Sequence, residues 1–255
     1  MLSKNQLKFV NSLKQKKVRD EHSLFIAEGT KIVKELLKSI IKVKQVFATS
    51  DFFREIKVYK TIERIEIKAN ELERLSALTN PNEVLAVCEI PYYELNENEL
   101  KDKLTLVLDE IKDPGNLGTI IRIADWFGIE TIICSNQTAD AFNPKVVQAT
   151  MGSISRIKLH YFDLVEFFQK HKELPVYGAL LEGENIFNKQ LSPTGLIVIG
   201  NESKGISPDL IPFITHKINI PSFSHFKSGG GEVESLNAAV ATAIICSEFR
   251  RRLAV

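Results

Sequence analysis

The sequence predicts an α/β protein in two parts: a small α/β unit over residues 1–90, then a mostly parallel sheet with helices on both faces over 104–255. Three observations predict it. Residues 104–255 alternate short apolar strand runs with helical patterns, the arrangement that covers a parallel sheet on both sides. The first 90 residues alternate in the same way on a smaller scale, within the usual size of one domain. Between them, PYYELNENELKDK (91–103) opens on proline, is rich in Glu and Asn and has no apolar periodicity, so it reads as a linker.

The elements follow in order. Residues 3–15 carry Leu7, Val10 and Leu13 at helical spacing. LFIAEG reads as a strand ending in a turn at Gly29. TKIVKELLKS follows as an amphipathic helix with Thr30 as a plausible N-cap. VKQVFAT is a strand, NELERLSAL a helix and VLAVCEI a strand ending at Pro91. In the second part the strands are LTLVL, ETIIC, ISRIKL, VYGALL, GLIVIG and HKINI. Helical patterns fall at 117–127, 143–151, 163–171 and 207–213, and LNAAVATAIICSEFRRRL closes the chain as a long helix. No internal repeat or low-complexity tract is present.

Composition narrows the classes of function. Hydrophobic residues make up 44% and charged residues 25%, enough apolar material for a true core. No apolar run approaches the ~20 residues of a membrane span. The basic start, MLSKNQLKFVNSLKQKK, lacks an apolar stretch, so no secretory signal is read and the expected location is the cytoplasm. Cys88, Cys134 and Cys246 each lie in an apolar run, which suits buried thiols and not a disulfide framework. The five histidines are scattered without ligand spacing, so no metal is expected. Net charge is only +1, but residues 1–20 hold Lys4, Lys8, Lys14, Lys16, Lys17 and Arg19 against Asp20. Such a segment either neutralises phosphates or forms a solvated helix face.

In open parallel sheets ligands bind at the carboxyl ends of strands. Three such ends are polar and glycine-rich. In DEIKDPGNLGTIIRIADWFG, Asn116 can cap a helix starting at Leu117, with Ile120, Ile121, Ala124 and Phe127 inward and Arg122 nearly two turns on. The same residues also describe a plain capped helix with one surface arginine. In IVIGNESKGIS, Gly200, Asn201, Glu202 and Gly205 form a turn whose glycines let backbone approach a ligand, or an ordinary strand-to-helix turn. In INIPSFSHFKSGGGEVESLNAAVATAI, Ser235-Leu236-Asn237 enters a helix rich in small residues, with Ser235 a possible N-cap.

Taken together, N-x-x-x-x-x-R, then G-x-E-x-x-G, then I-P followed by S-L-N resemble the SpoU (TrmH-like) family of RNA 2′-O-ribose methyltransferases, of the SPOUT class. The likeness covers 104–255 with the motifs in the right order. KQKKVRDEHSLFIAEG and LERLSALTNPNEVLAV are similar to the L30e-like substrate-binding domain that many members carry, which gives 1–90 that identity. The resemblance implies a trefoil knot near the C-terminus, which sequence physics alone would not suggest. It implies S-adenosylmethionine as cofactor, held by Gly200, Asn201, Gly205, Ile220, Pro221 and Leu236, largely through backbone groups. It gives catalytic roles to Arg122, Asn116, Glu202, Ser235 and Asn237. Asn116 and Asn237 would orient Arg122 and the ribose hydroxyl, Ser235 would hold its loop, and Glu202 would fix the knot. It implies a homodimer through the C-terminal part and an RNA substrate, ribosomal RNA before transfer RNA, with Lys14, Lys16, Lys17 and Arg19 as RNA-binding candidates.

One departure is the loop SFSHFKSGGGEVE, several residues longer than in the family. Its Phe223, His225, Phe226 and Lys227 could stack on a base or pack on the domain. Arginine is also an awkward base, since the free side chain titrates only at about 12.5–13.8. Arg122 therefore either takes the hydroxyl proton or only holds the neighbouring phosphate. Two other readings stand beside this one. An inactive RNA-binding assembly protein could share the fold. An ordinary nucleotide-binding α/β enzyme would need G-x-G-x-x-G after the first strand, which DEIKDPGNLG lacks.

Overall fold

The computed structural model describes residues 2–57, 59–78, 81–223 and 235–251. These divide into two compact units, 1–92 with 140–156 and 93–139 with 157–255.

The first unit begins with α1 (Lys4–Ser12) and α2 (Lys16–His22). Ser3 and Gln6 cap α1 reciprocally, each satisfying the other's backbone N–H. Then come β1 (Leu24–Glu28), α3 (Thr30–Leu36), β2 (Val43–Ala48), α4 (Ser50–Glu55), β3 (Glu63–Glu66), α5 (Ala69–Leu75) and β4 (Val84–Glu89). The sheet order is β1-β4-β2-β3, with β4 antiparallel to both neighbours and β2 parallel to β3. Its core joins Val10 and Leu13 to Ile26, Phe47, Leu72, Leu75, Leu85 and Val87. Sequence periodicity missed α2, α4 and β3, each too short to show a full apolar stripe. Thr30 is the first helical residue of α3 and not its cap. Gly29 takes the cap position at φ 99°, a conformation that favours glycine.

The second unit opens with α6 (Glu97–Asp102), where sequence reading had placed only a linker. Asn96 caps it, and a single residue, Leu100, is buried, too little to leave a periodic signature. Next come β5 (Leu104–Leu108), α7 (Pro114–Trp126) and β6 (Thr131–Ser135). The chain then runs through α8 (Pro144–Thr150), which belongs with the first unit and packs on β1. Here Phe142 meets Phe25 at 4.9 Å between ring centroids, and Val146 and Val147 are buried. Residues 153–155 are a 3-10 turn and not the start of a strand as ISRIKL suggested. Gly152 at φ 102° reverses the chain, and the strand begins at Lys158.

The remaining elements are β7 (Lys158–Phe162), α9 (Leu164–Lys170), β8 (Val176–Asn185), β9 (Gly195–Ile199), a 3-10 turn at Pro208–Phe213, β10 (His216–Asn219) and α10 (Ala238–Arg251). The strands lie in the order β10-β8-β9-β5-β6-β7, and every pairing is parallel. β5 and β9, fully buried, form the centre, as their unbroken apolar runs require. Helices α7 and α10 pack together. Arg250 ties them at one end, donating through Nε to Phe127 O (2.7 Å) and through Nη2 to Gly128 O (2.9 Å), carbonyls left open where α7 ends. Much of the small-residue face of α10 is spent inside the chain: Ala238, Ala239 and Thr242 are buried. Among the described residues no helix is long and apolar enough to cross a membrane.

Candidate active site

The carboxyl edge of the parallel sheet carries the site. At the end of β5, Asp113 caps α7 by accepting the Asn116 N–H at 2.7 Å, with Pro114 in the first helical position. Sequence reading gave the cap to Asn116. Because Asp113 fills that role two residues before the Gly115-Asn116 pair, the Asn116 side chain is free for another task. It donates from Nδ2 to Glu202 Oε1 at 2.7 Å and accepts at Oδ1 from Asn237 Nδ2 at 2.9 Å.

The direction of this relay is fixed at its far end. Asn237 Oδ1 accepts the N–H groups of Ala239 (3.0 Å) and Val240 (3.2 Å), so Asn237 caps α10, and Ser235 does not. With its oxygen engaged, Asn237 has only its amide nitrogen to offer Asn116. Asn116 must then turn its own nitrogen to the Glu202 carboxylate. Three segments distant in sequence are thus held in one order by three side chains. Ser235 is exposed.

The loop bearing Glu202 is a tight closure. Asn201 and Gly205 exchange backbone hydrogen bonds, both 2.9 Å, and Asn201 Oδ1 accepts from the Ser203 and Lys204 N–H groups. A Cβ on Gly200 would lie 2.2 Å from the Gly205 carbonyl carbon, so only glycine fits there. Gly205 itself sits at φ 72°. Both ends of the loop are pinned to β5 by residues that sequence reasoning passed over. Asn201 Nδ2 donates to Glu110 O at 2.8 Å, and the buried Asp109 carboxylate accepts the Ser207 N–H at 2.7 Å. Glu110 adopts a left-handed φ of 55° to present that carbonyl. The available signal was the Asp-Glu pair directly after LTLVL.

Next to the relay is an apolar pocket of about 130 Å³, lined among others by Leu180, Leu181, Ile218, Ile220, Leu236 and Ile245. A register shift opens it. β8 pairs Gly178 with Lys217 and then Glu184 with Ile218, so 179–183 drop out of the regular ladder with β10. Asn219, unremarked in the sequence, satisfies the bulge by donating to the carbonyls of Leu180 (3.3 Å) and Leu181 (2.7 Å). Of the residues expected at the cofactor, Ile220 and Leu236 line this pocket. Pro221, half-buried, follows Ile220, and Gly200, Asn201 and Gly205 form the adjoining strand-end loop. An aliphatic slot with backbone groups at its rim and a glycine turn at the next strand end is suited to an adenosine with a short charged tail. The residues present therefore fit S-adenosylmethionine.

Arg122 does not join the relay. It lies on the exposed stripe of α7 with Thr119 and Trp126, and its side chain makes no hydrogen bond or ion pair among the described residues. Of the basic N-terminal candidates, Arg19 is only 1% exposed. Its guanidinium donates to Leu13 O and Lys14 O, both 2.9 Å, and forks onto Asp140. It is a structural clamp and is withdrawn from the phosphate-binding set. Lys14 is half-buried and donates to Ser76 O at 2.7 Å, its pKa pulled down mainly by burial. Lys16 pairs with Asp20 on the surface, and Lys17 is exposed. Phe223 is exposed, whereas His225, Phe226 and Lys227 lie outside the described residues. Burial raises the thiols of Cys88 and Cys134, and pushes Cys246 up to about 12, so all three are inert. No group of three or more His, Cys, Asp or Glu that could hold a metal occurs among the described residues.

Comparison with known proteins bears on this geometry. The model of the SpoU rRNA methylase family matches residues 103–247, and that of the MRM3-like substrate-binding domain matches residues 4–86. Over 252 residues, 97% of each chain, the sequence is 29% identical to the 23S rRNA (guanosine(2553)-2′-O)-methyltransferase RlmP of Bacillus subtilis (strain 168). A solved TrmH-family structure from Porphyromonas gingivalis superposes with a TM-score of 0.86 at 38% identity, covering 99% of both chains. An AdoMet-bound rRNA methyltransferase from Sinorhizobium meliloti gives 0.86 at 29% identity, over 100% of this chain and 97% of that one.

Proposed function

The chain belongs to the SpoU rRNA methylase family, and from that premise we propose that it methylates a ribose 2′-hydroxyl of structured RNA, using S-adenosylmethionine. Relatives named for rRNA methylation favour ribosomal RNA over transfer RNA. One observation carries the reading: the relay Glu202–Asn116–Asn237 ends one residue from Leu236, a wall of the apolar pocket. Binding slot and polar constellation therefore adjoin at one edge of the sheet.

When bound, S-adenosylmethionine supplies an electrophilic methyl carbon on a sulfonium. The chain's own residues supply position, which can account for a large part of the barrier reduction. Leu180, Leu181, Ile220 and Leu236 would hold the purine. Gly200 and Gly205 bring backbone close, and Glu202, Asn116 and Asn237 fix the loop that borders the ribose. Ser235, exposed two residues before the cap of α10, is left to hold its own loop. Arg122, exposed and unpaired in its own chain among the described residues, binds the phosphate beside the target ribose through its planar fork.

The N-terminal unit, 1–90, is proposed to hold the RNA, with Lys14, Lys16 and Lys17 near phosphates. Residues 104–255 form the methyltransferase domain with its trefoil knot, and the protein acts in the cytoplasm. Trp126 and Val240, 85% and 48% exposed on the packed α7–α10 pair, fit a homodimer interface. The test is calorimetry with S-adenosylmethionine. The native chain is expected to bind one cofactor per protomer. Gly200→Ala, which forces the loop off Gly205, should abolish binding. A native chain that binds none would favour the inactive assembly role.

A further inference from the structure

The N-terminal unit carries a basic concave surface that the site above does not use. Two grooves, of about 400 Å³ and about 360 Å³, share Leu37 and Tyr59 as walls. The first is bordered by Lys34, Lys38 and Lys57 against Glu55 alone. Among the described residues none of these three lysines carries a salt bridge, whereas Lys16 is paired with Asp20 and Lys42 and Lys44 with Glu89. In a chain of net charge +1, three unpaired cations around one groove are a local surplus. Tyr59 stands between the grooves at 61% exposure, its backbone held by a turn in which Ile62 N–H donates to Tyr59 O at 3.0 Å.

We infer that this surface is a second RNA contact, which takes a single-stranded segment of the substrate by its phosphates at Lys34, Lys38 and Lys57 and stacks one base on Tyr59. The inference rests on the reading of the chain as an RNA methyltransferase. It extends that reading to a place remote in sequence from Lys14, Lys16 and Lys17. Lysine ammonium groups meet phosphates as point charges and tolerate a flexible strand. A tyrosine ring exposed beside them offers its face to any base, independent of sequence. An acidic peptide would answer the lysines but leaves the ring without a partner. The composition carried a faint signal, since Lys57, Tyr59 and Lys60 interleave cation and aromatic within four residues.

The test is fluorescence anisotropy of the full chain with a mixed-sequence single-stranded RNA oligonucleotide, without cofactor, over a range of salt. Replacing Lys34, Lys38 and Lys57 together by Ala should weaken binding about tenfold or more. It should also reduce the slope of log affinity against log salt by about 2, at roughly 0.7 per single-strand phosphate. Tyr59→Ala should weaken binding about tenfold with the salt slope unchanged, and Tyr59→Phe should restore it. Equal affinities and slopes in all variants would overturn the inference. So would loss of polyglutamate binding in the triple variant with RNA binding intact, which would assign the surface to an acidic protein. The parent's methyl transfer to ribosomal RNA is measured on the same preparation. Transfer by the parent with unaltered RNA binding in the variants defeats this inference and leaves the functional reading standing. Absence of transfer defeats the functional reading, and the anisotropy alone then judges the surface.

Discussion

Glu202 lies at the end of a relay whose polarity is set by a helix cap two residues away from it in the hydrogen-bond chain. Its carboxylate accepts from an amide nitrogen; a glutamine there would keep an acceptor oxygen, whereas alanine removes it. Glu202→Ala is therefore expected to lower cofactor affinity and turnover together, each by about tenfold, the scale of a lost charge-assisted hydrogen bond of about 1.5 kcal/mol. A variant with full cofactor affinity and no turnover would instead make Glu202 a proton acceptor. A second residue sets a pH response. His160 on β7 is 7% exposed, and its Nε2 has no partner among the described residues. Burial first, then Lys158, lowers its pKa, while Glu99, paired with Lys158, opposes the shift. The unfolded chain then binds a proton that the folded chain does not. Stability is held above about pH 6.5 and is lost as pH falls below it toward the lowered folded value. His171, lowered by burial as well, adds to the same window. Melting temperature should drop on acidification from neutral pH toward 5. His160→Phe, which keeps the stacking on Phe162, should blunt that drop. An identical pH profile in the variant would remove His160 from the account.

Single-element ends decided which predicted roles survived. The strands β5, β6 and β9 and the helix α7 were legible because their apolar runs are long and bounded by polar turns. Caps were not. Asp113 outcompetes Asn116, Gly29 replaces Thr30 and Asn237 replaces Ser235, since several adjacent residues could each have capped and only tertiary partners choose. The bulge of β8 over 179–183 leaves no trace in sequence, because it is created by pairing with β10. Arg19 shows the same limit on α2. As one of six cations in twenty residues it reads as a surface charge, yet Asp140, over a hundred residues away, draws it into the interior. Removing one partner of a buried ion pair strands the other. Arg19→Ala is thus expected to destabilise the first unit by about 3 kcal/mol or more, seen as a lower melting temperature. Lys17→Ala should leave melting unchanged and weaken RNA binding slightly. An Arg19→Ala protein as stable as the parent would contradict the clamp.

For the whole molecule, the order of motifs was more informative than any one of them. Asn116, Arg122, Glu202, Leu236 and Asn237 are each ordinary alone, but the fold brings all but Arg122 to one edge of one sheet. Boundaries were less legible. Residues 140–156 sit inside the C-terminal sequence pattern yet pack with the N-terminal unit, through Phe142, Val146 and Val147 on β1. A helix that is amphipathic reports which face it buries, not which domain receives it. The linker likewise holds a helix, α6, that serves the second unit. The reaction we propose from these assignments has the carboxyl edge position cofactor and ribose while Arg122 reaches out to RNA. The most direct test is to incubate the protein with methyl-tritiated S-adenosylmethionine and rRNA lacking native methylation, then digest to nucleosides. The account predicts label in one 2′-O-methyl nucleoside, lost in Arg122→Ala. Label on a base, or undiminished ribose labelling in Arg122→Ala, would contradict it.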